Sequence, residues 1–270
     1  MIVFPNCKIN LGLHITRKRK DGFHDLETLF YPILLQDALE VISNEATEPL
    51  QFTQSGIVIE TAGDNICEKA YALLKKDFPQ LPSVKMHLHK AIPMGAGLGG
   101  GSADGAFTLL LLNKKYNLQL TDGQLIDYAL QLGSDCPFFI INKPCLASGR
   151  GEKLQEFPLD LTPYKIVIVN PGIHINTGWA FSQLQQAAPS LPLAEVLQKP
   201  IQDWRHYLLN DFEGPIFSQY SEIKGIKDTL YNMGAVYASM TGSGSTVYGL
   251  FKKNEKLSFS FPAHYFVKEC

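Results

Sequence analysis

The 270-residue chain has no run of about 18 apolar residues, so no membrane-spanning helix of ordinary length is expected. Its five cysteines, Cys7, Cys67, Cys136, Cys145 and Cys270, are odd in number, scattered and without a CxxC pair, which speaks against both a disulfide framework and a cysteine zinc site. An excess of one charge is also missing. The formal charge of −2 leaves no basic field, and the longest basic cluster, Arg17-Lys18-Arg19-Lys20, reads as a solvated hairpin tip. Neither nucleic acid nor membrane is therefore expected as a partner. No signal-peptide layout is present, because Pro5-Asn6-Cys7-Lys8 interrupts the first apolar residues, and a cytoplasmic protein is expected. Repeats and low-complexity segments are absent too, and no self-complementary stripe reveals an oligomeric state; a monomer or weak homodimer is the expectation.

Glycine, by contrast, is concentrated in one place. From Pro93 to Asp104 the chain reads PMGAGLGGGSAD, with five glycines between Gly95 and Gly101, and an apolar helical run follows. Glycine lets backbone N–H groups approach a ligand closely, and a helix N-terminus adds unpaired donors and partial positive charge, so the implied ligand is a phosphate. A Walker A loop is excluded because Gly101 stands where its lysine belongs. Gly95, Gly97 and Gly100 match GxGxxG formally. However, Ile92-Pro93-Met94 separates them from the preceding strand, and no strand ending in an acid follows about 20 residues on. A purely steric role for the glycines is the third reading.

Residues 2–4, 8–15, 26–31, 38–42, 51–54 and 58–61 carry strand patterns, followed by a helix capped by Asp64 and a strand over 84–90. His87 and His89 lie on one face of that strand beside Lys85, a pattern that suits an exposed face better than a metal site. A helix runs from the glycine loop to about residue 116, and a second, opened by the Thr121/Gln124 capping pair, runs to Gly133. Pro158 and Pro163 bracket a turn where a second unit begins. Beyond it come a strand over 165–169, a helix over 177–186, helical segments between 193 and 219, a Ser221-capped helix to residue 233, and strands over 236–240, 246–251 and 265–267. The pattern is α+β in two units.

Three further stretches carry polar groups of two possible uses. Lys8 and Asn10 share one face of a strand, either projecting into a site or lying on an exposed edge. Asp135, in Gly133-Ser134-Asp135-Cys136-Pro137, is a helix cap or a base. The Thr241-Gly242-Ser243-Gly244-Ser245-Thr246 loop either closes over a ligand or makes a turn.

These four stretches, in this order, resemble the GHMP kinase superfamily. Asp21-Gly22-Phe23-His24 directs the resemblance to the subfamily whose acceptor is a cytidyl-diphosphate-linked alcohol, rather than to homoserine, mevalonate or sugar kinases or an inactive nucleotide-binding homologue. The resemblance implies an N-terminal ribosomal-protein-S5-like domain (1–158) and a C-terminal ferredoxin-like domain (159–270), with the active site in the cleft. It implies ATP on Asn65, Pro93, Gly95, Gly97, Leu98, Gly99, Gly100, Gly101 and Ser102, with Mg²⁺ and Ser102 as its candidate ligand. Asp135 is implied as catalytic base, with Lys8 offsetting the developing charge. Asn10, Phe23, His24, Thr177, Phe181, Gly242 and Ser243 are implied for the substrate, Phe23 and Phe181 stacking on cytosine and His24 reading its edge. Cys7, alternating with Lys8, is expected in the core.

Overall fold

The computed structural model describes residues 1–45, 48–57, 65–184 and 191–270. In chain order the elements are β1 (Ile2–Val3), β2 (Asn6–Lys18), β3 (His24–Gln36), β4 (Ala38–Ser43), β5 (Leu50–Gly56), α1 (Ile66–Asp77), β6 (Val84–Lys90), α2 (Gly100–Tyr116), α3 (Asp122–Leu132) and α4 (Cys136–Ile141). There follow β7 (Cys145–Gly149), β8 (Lys153–Glu156), β9 (Tyr164–Asn170), α5 (Thr177–Ser182), α6 (Leu193–Leu197), α7 (Trp204–Tyr207), α8 (Glu213–Gln219), α9 (Ser221–Asn232), β10 (Tyr237–Met240), β11 (Val247–Lys252) and β12 (Phe266–Glu269).

The chain divides into two compact units that interleave along the sequence. The first comprises Met1–Cys7, Leu34–Met94 and Gly99–Lys143; the second comprises Lys8–Ile33, Gly95–Leu98 and Pro144–Cys270. In the first unit a sheet of order β1-β4-β6-β5 has β5 parallel to β6 and its other pairs antiparallel. Strand β6 shows why one face is covered. Val84, Met86 and Leu88 are buried with Leu109 and Leu112 of α2 and Leu74 of α1, while Lys85 and His89 on the alternate positions are exposed. His87 hydrogen-bonds Thr53 and Ser55 across the sheet.

Helix boundaries follow local chemistry. Helix α1 is capped by Asn65 in a capping box with Glu68; Asp64, the expected cap, lies outside the described residues, as does the expected strand over 58–61. Thr121 and Gln124 form the expected box at α3, and Gly133 closes it. Ser221 is the first residue of α9 rather than its cap, which falls on Tyr220 without a side-chain bond. Helix α5 ends at Ser182 with Gln183 as its C-cap, short of residue 186, which lies outside the described residues.

The second unit contains two sheets, β2-β3-β7-β8 and the antiparallel β10-β11-β9-β12. Its core joins Leu13 and Ile15 of β2, Val167 and Val169 of β9, and the Ile223, Ile226 and Leu230 face of α9. Strands β7 and β8 were not foreseen from the sequence. CLASG and KLQE are short, and their pattern is too weak to mark a strand without the partner β3.

In the first unit a charged triad is buried where β6 meets α2. Lys90 Nζ donates to Asp37 Oδ2 and, at 2.7 Å, to Asp104 Oδ2, with all three side chains 2% exposed or less. Asp37 Oδ1 accepts the N–H groups of Ala91 at 2.6 Å and Ile92 at 2.9 Å, whereas Asp104 Oδ1 is buried without a hydrogen-bond partner among the described residues. Burial pushes the Asp104 carboxyl up to about 7, against the pull of Lys90 and with help from the negative charge of Asp37. Burial opposes the Lys90 ammonium, yet the two carboxylates hold it above the usual lysine value.

An acid whose folded pKa lies above its unfolded value keeps its proton longer when folded. Its contribution to stability is therefore full below the ordinary aspartate range and lost as pH rises through about 7. Denaturant melts of the wild type and Asp104→Asn at pH 5 and pH 8 are expected to show the wild type losing about 1 kcal/mol or more relative to the variant. Parallel pH profiles would contradict this.

Candidate functional site

In the second unit the site is built on β2. Cys7, Ile9, Leu11 and Leu13 form one face of this strand and are buried; Lys8 and Asn10 form the other and are each only 3% exposed. The exposed-edge reading of this strand is thus excluded. A buried ammonium needs acceptors, and Lys8 Nζ donates to Asn10 Oδ1 at 2.6 Å and to the Gly97 carbonyl at 3.3 Å, with the Phe30 ring centroid 4.8 Å away. The backbone makes the same join, since the Lys8 N–H donates to the Leu98 carbonyl at 2.9 Å.

Asn10 is held on every side. Its Nδ2 donates to Thr28 Oγ1 at 3.0 Å, and Thr28 in turn donates to the Gly12 carbonyl at 2.5 Å. The Asn10 N–H donates to Thr241 Oγ1 at 3.0 Å, its carbonyl accepts the Tyr248 hydroxyl at 2.8 Å, and the Thr241 hydroxyl is shared between Asn10 Oδ1 at 3.2 Å and Gly97 O at 3.1 Å. These partners fix the carboxamide with its oxygen toward Lys8. Thr28 and Thr241 passed unnoticed in the sequence, where nothing distinguishes a buried threonine from any other strand residue.

The glycine loop follows from this packing. Gly97 has φ +76°, and a Cβ there would lie 2.1 Å from the Thr241 carbonyl oxygen, so only glycine allows the loop to approach the Thr241–Thr246 segment. Asn210 fixes that segment by donating to the carbonyls of Met240 at 2.8 Å and Gly242 at 2.9 Å. Ser245 Oγ donates to Ile173 O at 2.5 Å, and Thr177 and Ser243 hydroxyls lie 3.3 Å apart. His174, also not anticipated, has Nδ1 3.5 Å from the position of a Cβ on Gly95.

The remaining substrate positions divide into two groups. His24 stacks on Phe181 with centroids 4.7 Å apart and planes at 16°, and Phe181 meets Phe212 edge-on. Phe23 is 54% exposed and lies under Arg150 at 5.0 Å. His24 therefore occupies a face of Phe181, and Phe23 sits apart from that stack. Burial, helped by Lys18, lowers the His24 pKa, so its imidazole is neutral at pH 7. The basic tip Arg17-Lys18-Arg19-Lys20 is partly offset by its own hairpin, Arg17 pairing with Asp25 and Arg19 with Asp21 and Asp25.

In the first unit Gly99 caps α2 in a left-handed conformation, φ +70°, and leaves the N–H groups of Gly100, Gly101 and Ser102 without helical partners. Seventeen aligned residues follow, so these amides carry the positive end of a full helix dipole. Asn65 directs its side-chain oxygen to the Cys67 N–H at 2.9 Å. Pro93 leads into the loop and is half-buried. Asp135 stands at the N-cap position of α4 without a side-chain capping bond. Next to it, burial pushes the Cys136 thiol up to about 12. Such a thiol is not a nucleophile.

Thr241→Val is expected to cost about 2 kcal/mol in urea unfolding, because the Asn10 N–H loses the Thr241 hydroxyl as its acceptor, whereas Thr241→Ser keeps the hydroxyl and costs under about 1 kcal/mol. Equal losses for the two variants would show that the hydroxyl does not hold Asn10.

The family model described as "GHMP kinases N terminal domain" matches residues 65–143, and that described as "GHMP kinases C terminal" matches residues 193–259. A 4-diphosphocytidyl-2-C-methyl-D-erythritol kinase of Bacteroides fragilis (strain YCH46) is 51% identical over 96% of this chain and 94% of that protein. One from Azobacteroides pseudotrichonymphae is 49% identical over 99% of this chain and all of its own length. A crystal structure of 4-(cytidine 5'-diphospho)-2C-methyl-D-erythritol kinase superposes with a TM-score of 0.81 at 32% identity, covering 93% of this chain and 90% of the other. Identity at this level along nearly the whole of both chains, on the same two-part α+β fold, makes this chain a member of the 4-diphosphocytidyl-2-C-methyl-D-erythritol kinase family of GHMP kinases.

Proposed function

We propose that the chain transfers the γ-phosphoryl group of ATP to the 2-hydroxyl of 4-diphosphocytidyl-2-C-methyl-D-erythritol, giving the 2-phosphate and ADP, a step of the non-mevalonate route to isoprenoid precursors. The observation that carries the reading is the contact of buried Lys8 with the Gly97 carbonyl, which sets a cation against a glycine loop that has no lysine of its own. Phosphoryl transfer asks a protein mainly for positioning and charge stabilisation. The amides of Gly100, Gly101 and Ser102 bind the ATP phosphates, and Asp135 takes the proton of the acceptor hydroxyl. Lys8, oriented by Asn10, offsets the charge that grows on that oxygen.

Cytosine lies between Phe23 and Phe181, with His24 giving up its stack on Phe181 to read the base edge. A neutral imidazole suits that task, since it offers one donor and one acceptor. Thr177, Gly242 and Ser243 contact the rest of the substrate, and Asn65 and Pro93 belong to the nucleotide side. Mg²⁺ would enter with the nucleotide, held by one or two protein oxygens. Ser102, in the first turn of α2, is the residue that would hold it. When bound, the ion offsets phosphate charge. The reading is completed by domains at 1–158 and 159–270 and by a cytoplasmic monomer or weak homodimer acting on a small molecule, without nucleic acid or membrane.

Purified protein given this substrate, ATP and Mg²⁺ is expected to release ADP and the 2-phosphate; no turnover would overturn the reading. Lys8→Ala and Asp135→Asn are each expected to lower kcat by about 100-fold or more with the KM for ATP within about threefold. His24→Ala and Phe23→Ala are expected to raise the KM for the cytidyl substrate about tenfold with little change for ATP. Unchanged KM would point to an acceptor without the base.

A further inference from the structure

Three charges are buried behind the start of α2, and nothing in the proposed chemistry uses them. Burying an ion pair costs desolvation that an apolar trio of similar volume would avoid, so stability alone does not account for Lys90, Asp37 and Asp104. Ions add direction. Asp37 accepts the N–H groups of Ala91 and Ile92, the two residues that leave β6 toward Pro93. Lys90, the last residue of β6, bridges the same Asp37 to Asp104, which lies one turn beyond Gly100 on α2. Gly100 rests directly on this assembly: a Cβ there would lie 2.9 Å from Ile92 Cγ2 and 3.4 Å from Lys90 Nζ. The strand exit and the helix start are thus joined through one ammonium, and the absence of a side chain on Gly100 lets them close together.

We infer that the Lys90–Asp37–Asp104 triad is the positioning element of the helix end of the phosphate loop, setting the amides of Gly100, Gly101 and Ser102 for the nucleotide. The inference rests on the proposed ATP reading and deepens it. Lys90 is fully buried, so any role it has toward a nucleotide is exerted through the backbone of Ala91, Ile92 and the first turn of α2. Slippage of that turn relative to β6 would misplace the anion-binding amides without touching the acceptor side.

The test uses the full chain carrying Lys90→Met, Asp37→Asn and Asp104→Leu together, which removes the charges, keeps the oxygen that accepts the Ala91 and Ile92 N–H groups and preserves the volume. The expected result is a folded protein, melting within a few degrees of the wild type, whose KM for ATP rises about tenfold while the KM for the cytidyl alcohol stays within about twofold. Direct titration with ATP is expected to show the same loss. A folded triple variant with unchanged ATP affinity overturns the inference, as does a uniform fall in kcat with neither KM moved. Should the triple variant not fold, Asp104→Asn alone, which keeps shape and acceptor, is expected to raise the KM for ATP about threefold, and an unchanged value overturns the inference equally. A wild type that binds no ATP instead overturns the reading on which it rests.

Discussion

The satisfaction of one buried ammonium organises the second unit. Lys8 lies almost wholly out of water, and an uncompensated charge there would cost several kcal/mol, so the surrounding chain is arranged to supply acceptors. Asn10 gives its side-chain oxygen, which obliges its amide nitrogen to find Thr28 and its backbone N–H to find Thr241. Gly97 gives its carbonyl, which draws the glycine loop onto β2 and against the Thr241 backbone. The need for glycine at position 97 follows from that approach. The approach of the glycine loop, the lysine strand and the Thr241–Thr246 segment to one another follows from one electrostatic requirement.

The first unit meets a related requirement differently. Lys90 also is buried, and it is answered by the carboxyl groups of Asp37 and Asp104, with burial raising the Asp104 carboxyl to about 7. Lys8 has carbonyl and carboxamide acceptors among its partners, and the proposed function gives it the charge that grows on the acceptor oxygen. Lys90 is held for its geometry. Each end of the glycine loop is thus tied to a buried cation, Gly97 to Lys8 and Gly100 to the packing around Lys90.

What could be read from the sequence was local. Period-two alternation placed Lys8 and Asn10 on one face, glycine spacing marked a phosphate loop without its lysine, and Thr121 with Gln124 marked a helix start that forms as expected. Family resemblance supplied the two-part α+β architecture. Hidden were the features that depend on residues far apart in sequence. Thr241 meets Asn10 across 231 positions, Asp37 meets Lys90 across 53, and no local pattern distinguishes either from an ordinary polar residue. The strand pattern leaves the burial of Lys8 open for the same reason, since one of its acceptors, Gly97, lies on a loop that the pattern does not contain. The stack of His24 on Phe181 depends on a helix that follows by more than 150 residues.

The claim that Lys8 is an immobilised ammonium held by Asn10 and Gly97 can be measured directly by NMR of the protein labelled with ¹⁵N at lysine Nζ. The account predicts a Lys8 NH₃⁺ signal that exchanges slowly with water at neutral pH and speeds up toward surface-lysine rates in Asn10→Ala. A Lys8 signal already exchanging as fast as the surface lysines in the wild type would contradict it.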